Sequence, residues 1–471
     1  MGRDALLGVD LGTSGVKAVV VGADATVLGE ADAACPVRSP RPGRTETDPD
    51  AWWAATVAAV RAALCRADHP TITAVGVDGQ MHGLVLARDD AEPVRPALLW
   101  ADQRAGAELD RWQELAKTDR ERLANPLVPG MTGPLLAWTA RHEPAALARA
   151  RWALLPKDWL RLRLTGAAAT DPSDASATLL WDVPADAWSG AALRAADVPE
   201  GLLPPVVASD EAAGRLREDA AAELGLPSGI PVAAGAGDTP AALLAAGLAP
   251  GQVQITVGSG AQIVTGAAEP APVPGVHVYR TAEKAGWYRM AAVQNAGLAL
   301  DWVRALLGAT WEELYAAVEG APDSGGVVFL PHLTGERTPA LGVSGALSGL
   351  RLATGRTEIL RAAVEGVAFT LRHAATLLPD GLPPTVRLTG GGARDPRLRA
   401  LLADVLGVEL HPVRLRSASA LGAAQLAARA AALEMARPRP HRDPVVRPTD
   451  RSEIYNVKFQ RYLEQLDTSR I

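Results

Sequence analysis

Leu6-Leu7-Gly8-Val9-Asp10-Leu11-Gly12-Thr13-Ser14-Gly15-Val16-Lys17-Ala18-Val19-Val20-Val21 places two apolar runs on either side of a polar, glycine-bearing turn. Residues 6–9 end at Asp10, residues 16–21 close on Gly22-Ala23-Asp24, and residues 26–30 read as a further strand. The pattern predicts an antiparallel meander of three strands at the start of the chain. Gly12 and Gly15 let backbone amides come close to an anion, while Thr13 and Ser14 add hydroxyl donors and Lys17 adds charge. Asp10, at a strand end, is a carboxylate placed to hold a hydrated Mg²⁺. Alone, such a turn is a hairpin with a polar tip. Its weight comes from related turns later in the chain.

A similar pattern recurs in the second half. Residues 231–234 form a strand, Gly235-Ala236-Gly237-Asp238-Thr239 a glycine-rich turn with an acid, and a helix starts at Pro240. Residues 253–257 and 262–265 are strands on either side of Gly258-Ser259-Gly260, and residues 386–388 feed Gly390-Gly391-Gly392-Ala393. Two halves that each begin with an acid at a strand end indicate an internal duplication. The Pro-rich stretch 199–229 puts the boundary at 230, giving lobes 1–230 and 231–440. Residues 441–471 form a Pro/Arg-rich link and an amphipathic helix, expected to pack back on the first lobe. No G-x-x-x-x-G-K-[ST] or post-strand G-x-G-x-x-G is present, yet three glycine turns after strands form a nucleotide-phosphate pattern.

Composition narrows the partners. The 471 residues are 48% hydrophobic and 21% charged, an ordinary globular balance large enough for two domains. A net charge of −6 without basic runs argues against nucleic acid. Cys35 and Cys65 form no metal-ligand spacing and fit a reducing compartment. The longest apolar stretch, around 241–249, is far short of the ~20 residues that span a bilayer. The expectation is a cytoplasmic protein without a membrane partner. Polar clusters directly after buried strands are where α/β folds place sites. Two occur here: Asp78-Gly79-Gln80-Met81-His82-Gly83, and Trp100 followed by Asp102-Gln103-Arg104. Trp100 and Asp102 would supply an aromatic wall beside a carboxylate for a polyol, with core packing the plainer alternative for Trp100.

Six stretches together resemble the FGGY family of carbohydrate kinases, in its xylulokinase branch. They are Asp10-Leu-Gly-Thr-Ser-Gly-Val-Lys17, Gln80-Met-His-Gly83, Pro129-Gly-Met-Thr132, Leu155-Pro-Lys-Asp-Trp-Leu-Arg-Leu-Arg-Leu-Thr-Gly166, Leu333-Thr-Gly-Glu-Arg-Thr-Pro339 and Gly390-Gly-Gly-Ala-Arg394. The resemblance implies an α/β fold of two duplicated lobes, actin-like, hexokinase-like and RNase H-like, with an ATP cleft between them. It implies ATP-dependent phosphorylation of a sugar, D-xylulose first, with ribulose- or ribitol-type substrates or a non-kinase ATPase as alternatives. ATP and Mg²⁺ are the implied cofactors, and a homodimer is allowed. Asp238 matches the catalytic base and Asp10 the acid that orients Mg²⁺. For Asp238 a helix N-cap is the plainer role, and the two are compatible. Met81 and His82 match the sugar contact; Thr13, Ser14, Lys17, Gly258 and Ser259 match phosphate contacts; Gly297, Gly391, Gly392 and Ala393 match the adenosine side. Thr239-Pro240 departs from the family, which carries an amide after the catalytic acid at a position that touches sugar hydroxyls. The phosphate turn Gly258-Ser259-Gly260-Ala261 departs from Gly-Thr-Ser-Gly but keeps a hydroxyl. Lys157-Asp158 is family-specific without a role legible in sequence; a buried ion pair joining two segments is the plain reading.

Overall fold

The computed structural model describes residues 4–320, 323–336 and 344–469. Arg337-Thr338-Pro339 of the fifth motif therefore lies outside the described residues. The first sheet contains β1 (Asp4–Leu11), β2 (Gly15–Val21), β3 (Val27–Ala34), β4 (Thr71–Gly79), β5 (Ala212–Arg215), β6 (Pro231–Ala233) and β7 (Ala236–Gly237). Its order is β5-β6-β4-β1-β2-β3, with β7 beside β4. The second sheet contains β8 (Val253–Val257), β9 (Ala261–Ala267), β10 (His277–Arg280), β11 (Trp287–Val293), β12 (Thr385–Thr389), β13 (Glu409–Arg414) and β14 (His441–Arg442). Its order is β10-β11-β9-β8-β12-β13-β14. In each sheet a three-stranded antiparallel meander, β1-β2-β3 or β8-β9-β11, continues through its first strand into a parallel neighbour, β4 or β12. The duplication is thus a repeated topology.

Eight helices matter for the site: α1 (Pro49–Arg66), α2 (Pro156–Thr165), α3 (Pro172–Ala175), α4 (Asp238–Ala246), α5 (Gly297–Leu306), α6 (Arg356–Ala375), α7 (Ala418–Ala430) and α8 (Arg451–Thr468). The strands of the first sheet are near-continuous apolar runs because both faces are covered. Leu7, Val9 and Leu11 pack with Trp52, Val60 and Leu64 of α1, while Leu6, Val19 and Ala74 pack with Ala420 and Ala424 of α7. On that second face helix backbone touches sheet backbone. A Cβ on Gly8 would lie 1.9 Å from the Ala420 carbonyl oxygen, and one on its cross-strand partner Gly76 1.8 Å from that of Ala423. Only glycine permits so close an approach. On the outer side of α7 the same holds for Gly422, whose Cβ would lie 2.0 Å from the Ala241 oxygen of α4.

Two expectations about the lobes need correction. The boundary does not fall at 230, because β6 and β7 pair with β4 and α4 packs over the first sheet, so that lobe runs to about Ala246. The closing helix α8 does not pack on the first lobe. Its stripe of Tyr455, Phe459, Tyr462 and Leu466 enters the second core, where Phe369 meets Phe459 and Tyr462 at ring-centroid distances of 5.9 and 5.7 Å. The late helix that crosses to the first lobe is α7, whose Ala- and Gly-rich surface fits the glycine face. Among the described residues no helix is long and apolar enough to cross a membrane.

Candidate active site

Register sets the site's charges. Lys17, Asp10 and Asp78 are cross-strand partners in one row of β2, β1 and β4, and Ala236 continues the row on β7. Asp238 stands just beyond, at the first residue of α4. Asp10 shares its sheet face with Gly8, so it sits at the end of the face covered by α7, and its Oδ2 accepts from Ser419 Oγ at 2.8 Å. Asp78 is fully buried, and no donor besides its neighbour Asp10 meets its carboxylate oxygens. Burial holds the Asp78 carboxyl well above the usual carboxylate range, reinforced by the charges of Asp10 and Asp238. Burial also raises Asp10, against the opposing pull of hydrogen bonds with Ser419 and Asp78 and of the Lys17 charge. Asp238 is pushed up to about 7, by burial first and by Asp10 second. Its Oδ1 accepts from the Thr239 amide at 2.6 Å and lies 3.3 Å from Thr239 Oγ1, which limits the rise. A carboxylate near neutrality facing a cavity suits general-base work.

That cavity, about 590 Å³, lies between the two sheets and is lined by Thr13, Met81, His82, Trp100, Asp238, Thr239, Gly258 and Ser259 among others. His82 adopts a left-handed backbone, φ 68°, and Gly83 after it has φ 81°. Such a backbone is uncommon for a residue other than glycine, though histidine is among the types that adopt it. Its Nδ1 lies 2.7 Å from the Ala177 carbonyl, which can only accept, so Nδ1 carries the proton. The Trp100 indole donates to Thr13 Oγ1 at 2.9 Å, and that hydroxyl donates to Gln80 Oε1 at 3.2 Å. The first turn and the loop at 80–83 are therefore tied by one hydrogen-bond chain. From the second lobe, Tyr279, Tyr288 and Met290 pack around Met81.

A second cavity of about 810 Å³ meets the first at Gly258, Ser259 and Leu298. Gly297, Gly391, Gly392, Trp311 and Tyr315 line it, with the last two rings stacked at 5.8 Å. Gly297 also shapes the turn: its amide donates to the Gly258 oxygen at 3.0 Å, and a Cβ there would lie 2.5 Å from that oxygen. A Cβ on Gly391 would meet nothing within 4 Å.

Five expected residues line neither cavity; one of them, Asp10, stands in the row beside Asp78 and acts on Asp238 from there. Asp102 does not line the first cavity. It is fully buried, and its carboxylate accepts from Arg104 Nε (2.8 Å), the Arg104 amide (2.9 Å), Arg104 Nη2 (2.8 Å) and the Thr45 amide (2.7 Å). Those bonds consume its acceptor capacity. Ala393 turns its methyl group into the second core instead of the second cavity. Ser14 and Lys17 line neither cavity; Ser14 is exposed at the turn and Lys17 acts on Asp10 along the row. Conversely, sequence reasoning places Asp78 in a site-bearing cluster without giving it a role, and does not single out Ser419, Trp311 or Tyr315. A strand-terminal acid before Gly79-Gln80 is the available signal for Asp78; the aromatic pair carries only the i, i+4 spacing of any helix face.

Comparison with known proteins fits this geometry. Residues 5–245 match the FGGY family of carbohydrate kinases, N-terminal domain, and residues 253–431 match its C-terminal domain. A xylulose kinase of Streptomyces rubiginosus is 38% identical over 432 residues, covering 90% of this chain and 87% of that protein. A xylulose kinase of Escherichia coli (strain K12) is 36% identical over 435 residues, 89% of each. The crystal structure of a xyloylose kinase from Brucella ovis aligns with TM-score 0.90 at 33% identity, covering 98% of this chain and 99% of that one. With both halves of the family matched in order on either side of the crossover between α4 and β8, the chain belongs to the FGGY family of carbohydrate kinases.

Proposed function

We propose that this carbohydrate kinase transfers the γ-phosphate of ATP to O5 of D-xylulose. The observation that carries the reading is Asp238, pushed up to about 7 in a cavity bounded by the Gln80–Gly83 loop on one side and the Gly258-Ser259 turn on the other. The xylulose kinases of two genera, similar over about nine-tenths of their length, support the sugar. Asp238 accepts the hydroxyl proton as the O5–Pγ bond forms and the bond from Pγ to the β-phosphate oxygen breaks, releasing ADP. Phosphoryl transfer asks mostly for positioning and charge neutralisation, so the base acts late. The Gly258-Ser259 turn supplies hydroxyl and amide donors to the phosphates, Thr13 holds the first turn in place through Gln80 and Trp100, and Gly391 and Gly392 leave room for the nucleoside. His82, Met81 and Trp100 bound the sugar.

The residues fit Mg²⁺. Asp78 and Asp10 form a buried acid pair in which no donor besides its neighbour Asp10 meets the Asp78 oxygens, and a divalent cation would compensate both carboxylates. Mg²⁺ when bound neutralises phosphate charge, and it favours one or two carboxylates with water and phosphate oxygens completing its shell. Among the described residues no group of three or more His, Cys, Asp or Glu is arranged to hold a metal.

A second reading, another ketopentose such as ribulose, rests on Thr239. Its amide and hydroxyl both turn to Asp238 Oδ1, where a longer amide side chain would reach the sugar. A coupled ADP-release assay over a panel of pentuloses and polyols tests both, with the product's phosphate position read by phosphorus–proton NMR. D-xylulose should give the highest kcat/KM and a 5-phosphate. A higher value for ribulose selects the second reading, and sugar-independent ADP release overturns both.

A further inference from the structure

The Pro156-Lys157-Asp158 stretch is the family-specific motif that the chemistry above leaves unused. Lys157, in the first turn of α2, is fully buried, with Nζ 2.6 Å from Asp158, 2.9 Å from Asp171 and 3.1 Å from Asp174. Arg161, one turn later, lies 3.2 Å from Asp158. Burial alone would lower the Lys157 pKa, but the three carboxylates outweigh it and hold the ammonium above its ordinary value. Burying such a cluster is weak stabilisation at best, since apolar side chains of similar volume do as well. Its value must lie in what it fixes.

The cluster leads to Asp238. Asp171 Oδ2 caps α3 by accepting from the Ser173 amide at 2.9 Å, and it also accepts from the hydroxyls of Ser173 at 2.6 Å and Ser209 at 2.7 Å. Ser173 Oγ in turn accepts from the Gly237 amide at 3.1 Å. Gly237 is the residue before Asp238 and is pressed by the cluster: a Cβ there would lie 3.2 Å from Asp174 Oδ1 and 2.6 Å from Met81 Cγ. An unbroken chain thus runs from the Lys157 ammonium through Asp171 and Ser173 to the peptide that sets the entry of Asp238 into α4. We infer that Lys157, Asp171 and Ser173 are positioning residues that fix the Ala236–Gly237 peptide, one residue before Asp238, and through it the Asp238 carboxylate, against the sugar hydroxyl. The inference rests on Asp238 being the base. Near-attack geometry is steep enough that a misplacement of about 1 Å costs roughly 10²-fold in rate.

Lys157→Met would leave three buried carboxylates without their cation and risks unfolding, so the test uses two serines. Ser173→Ala and Ser209→Ala each remove one hydroxyl from Asp171 Oδ2, but only Ser173 touches Gly237. Steady-state kinetics and melting temperatures of both are compared with wild type and Asp238→Asn. Ser173→Ala should lose about 10- to 100-fold in kcat, with KM for ATP and sugar within a few-fold. Ser209→Ala should show a similar fall in Tm with kcat within about twofold. Equal kcat losses in the two variants, or a near wild-type kcat in Ser173→Ala beside an inactive Asp238→Asn, overturn the positioning role alone. Wild-type turnover by Asp238→Asn overturns the base assignment and the inference with it.

Discussion

The two lobes carry the same hairpin tip and use it differently. Between β1 and β2 the turn comes after Asp10, and the parallel neighbour β4 ends with Asp78 and Gly79. Between β8 and β9 the corresponding turn comes after Val257, and the parallel neighbour β12 ends at Thr389 before Gly390. The first lobe therefore presents carboxylates; the second presents bare backbone at Gly258, Gly297 and Gly391. Duplication supplied a symmetric frame, and the division of charge between its halves makes one end fit for proton and cation chemistry and the other for a phosphate-bearing ligand. Asp238 stands at the seam, bound to the first sheet through β7 and facing the second.

The largest effect expected from breaking this division is at Asp238. Asp238→Asn keeps a side chain able to sit at the start of α4 but cannot accept a proton, so kcat should fall by about 10²–10⁴ with both KM values within a few-fold. Retained turnover would place the base elsewhere. Acidification should act through the same group. Burial and Asp10 raise Asp238 to about 7, so it becomes protonated, and inactive as a base, as pH falls through that value. At saturating Mg²⁺ and ATP, kcat/KM for the sugar should drop about tenfold for each pH unit below the folded pKa. A flat profile between about pH 5.5 and 8 would contradict the assignment; a cation that offsets the charge of Asp10 would move the midpoint lower without flattening it.

Smaller changes sharpen the contrast between the lobes. His82→Ala should raise the sugar KM by about tenfold, the scale of one hydrogen bond to a buried group, and leave the ATP KM unchanged. A larger shift for ATP would reverse the assignment of the cavities. Thr239→Asn should change the ratio of kcat/KM between D-xylulose and ribulose by about fivefold, from an amide contact of roughly 1 kcal/mol. An unchanged ratio would show that position 239 does not read the sugar. Least of all, Gly391→Ala should raise the ATP KM about threefold without moving Tm, because its Cβ enters open space in the second cavity. A shift in the sugar KM instead would remove the second lobe's backbone from nucleotide binding.

What the sequence discloses comes from local physics. The meander is legible because β-branched runs and glycine turns alternate from Leu6 onward, and the two acids Asp10 and Asp238 stand at strand ends. Asp102 misleads because its position resembles theirs; only the folded chain brings Arg104 and the Thr45 amide back onto it. Asp78 opens a polar cluster at the end of the apolar run 72–77, but register alone reveals Asp10 as its neighbour. The docking of α7 and α8 is easily exchanged because an amphipathic pattern tells that a helix packs but not on which sheet. Gly8 and Gly76 hold that information: an isolated glycine inside a strand signals a close backbone approach.

The same glycine face orders the life of the chain in time. Ala420, which fills the groove at Gly8, is made 412 residues after it, and at about 5–20 residues per second a ribosome needs roughly 20–80 s to cover that distance. For all that interval the first sheet can pair its strands and gather α1 on one side while its other side stands uncovered. A nascent chain released at Ala246 would carry every carboxylate of the site and still expose the bare strip meant for α7. The first lobe is thus closed only after nearly all of the second has been made, with β14 and α8 of the second lobe alone still to follow.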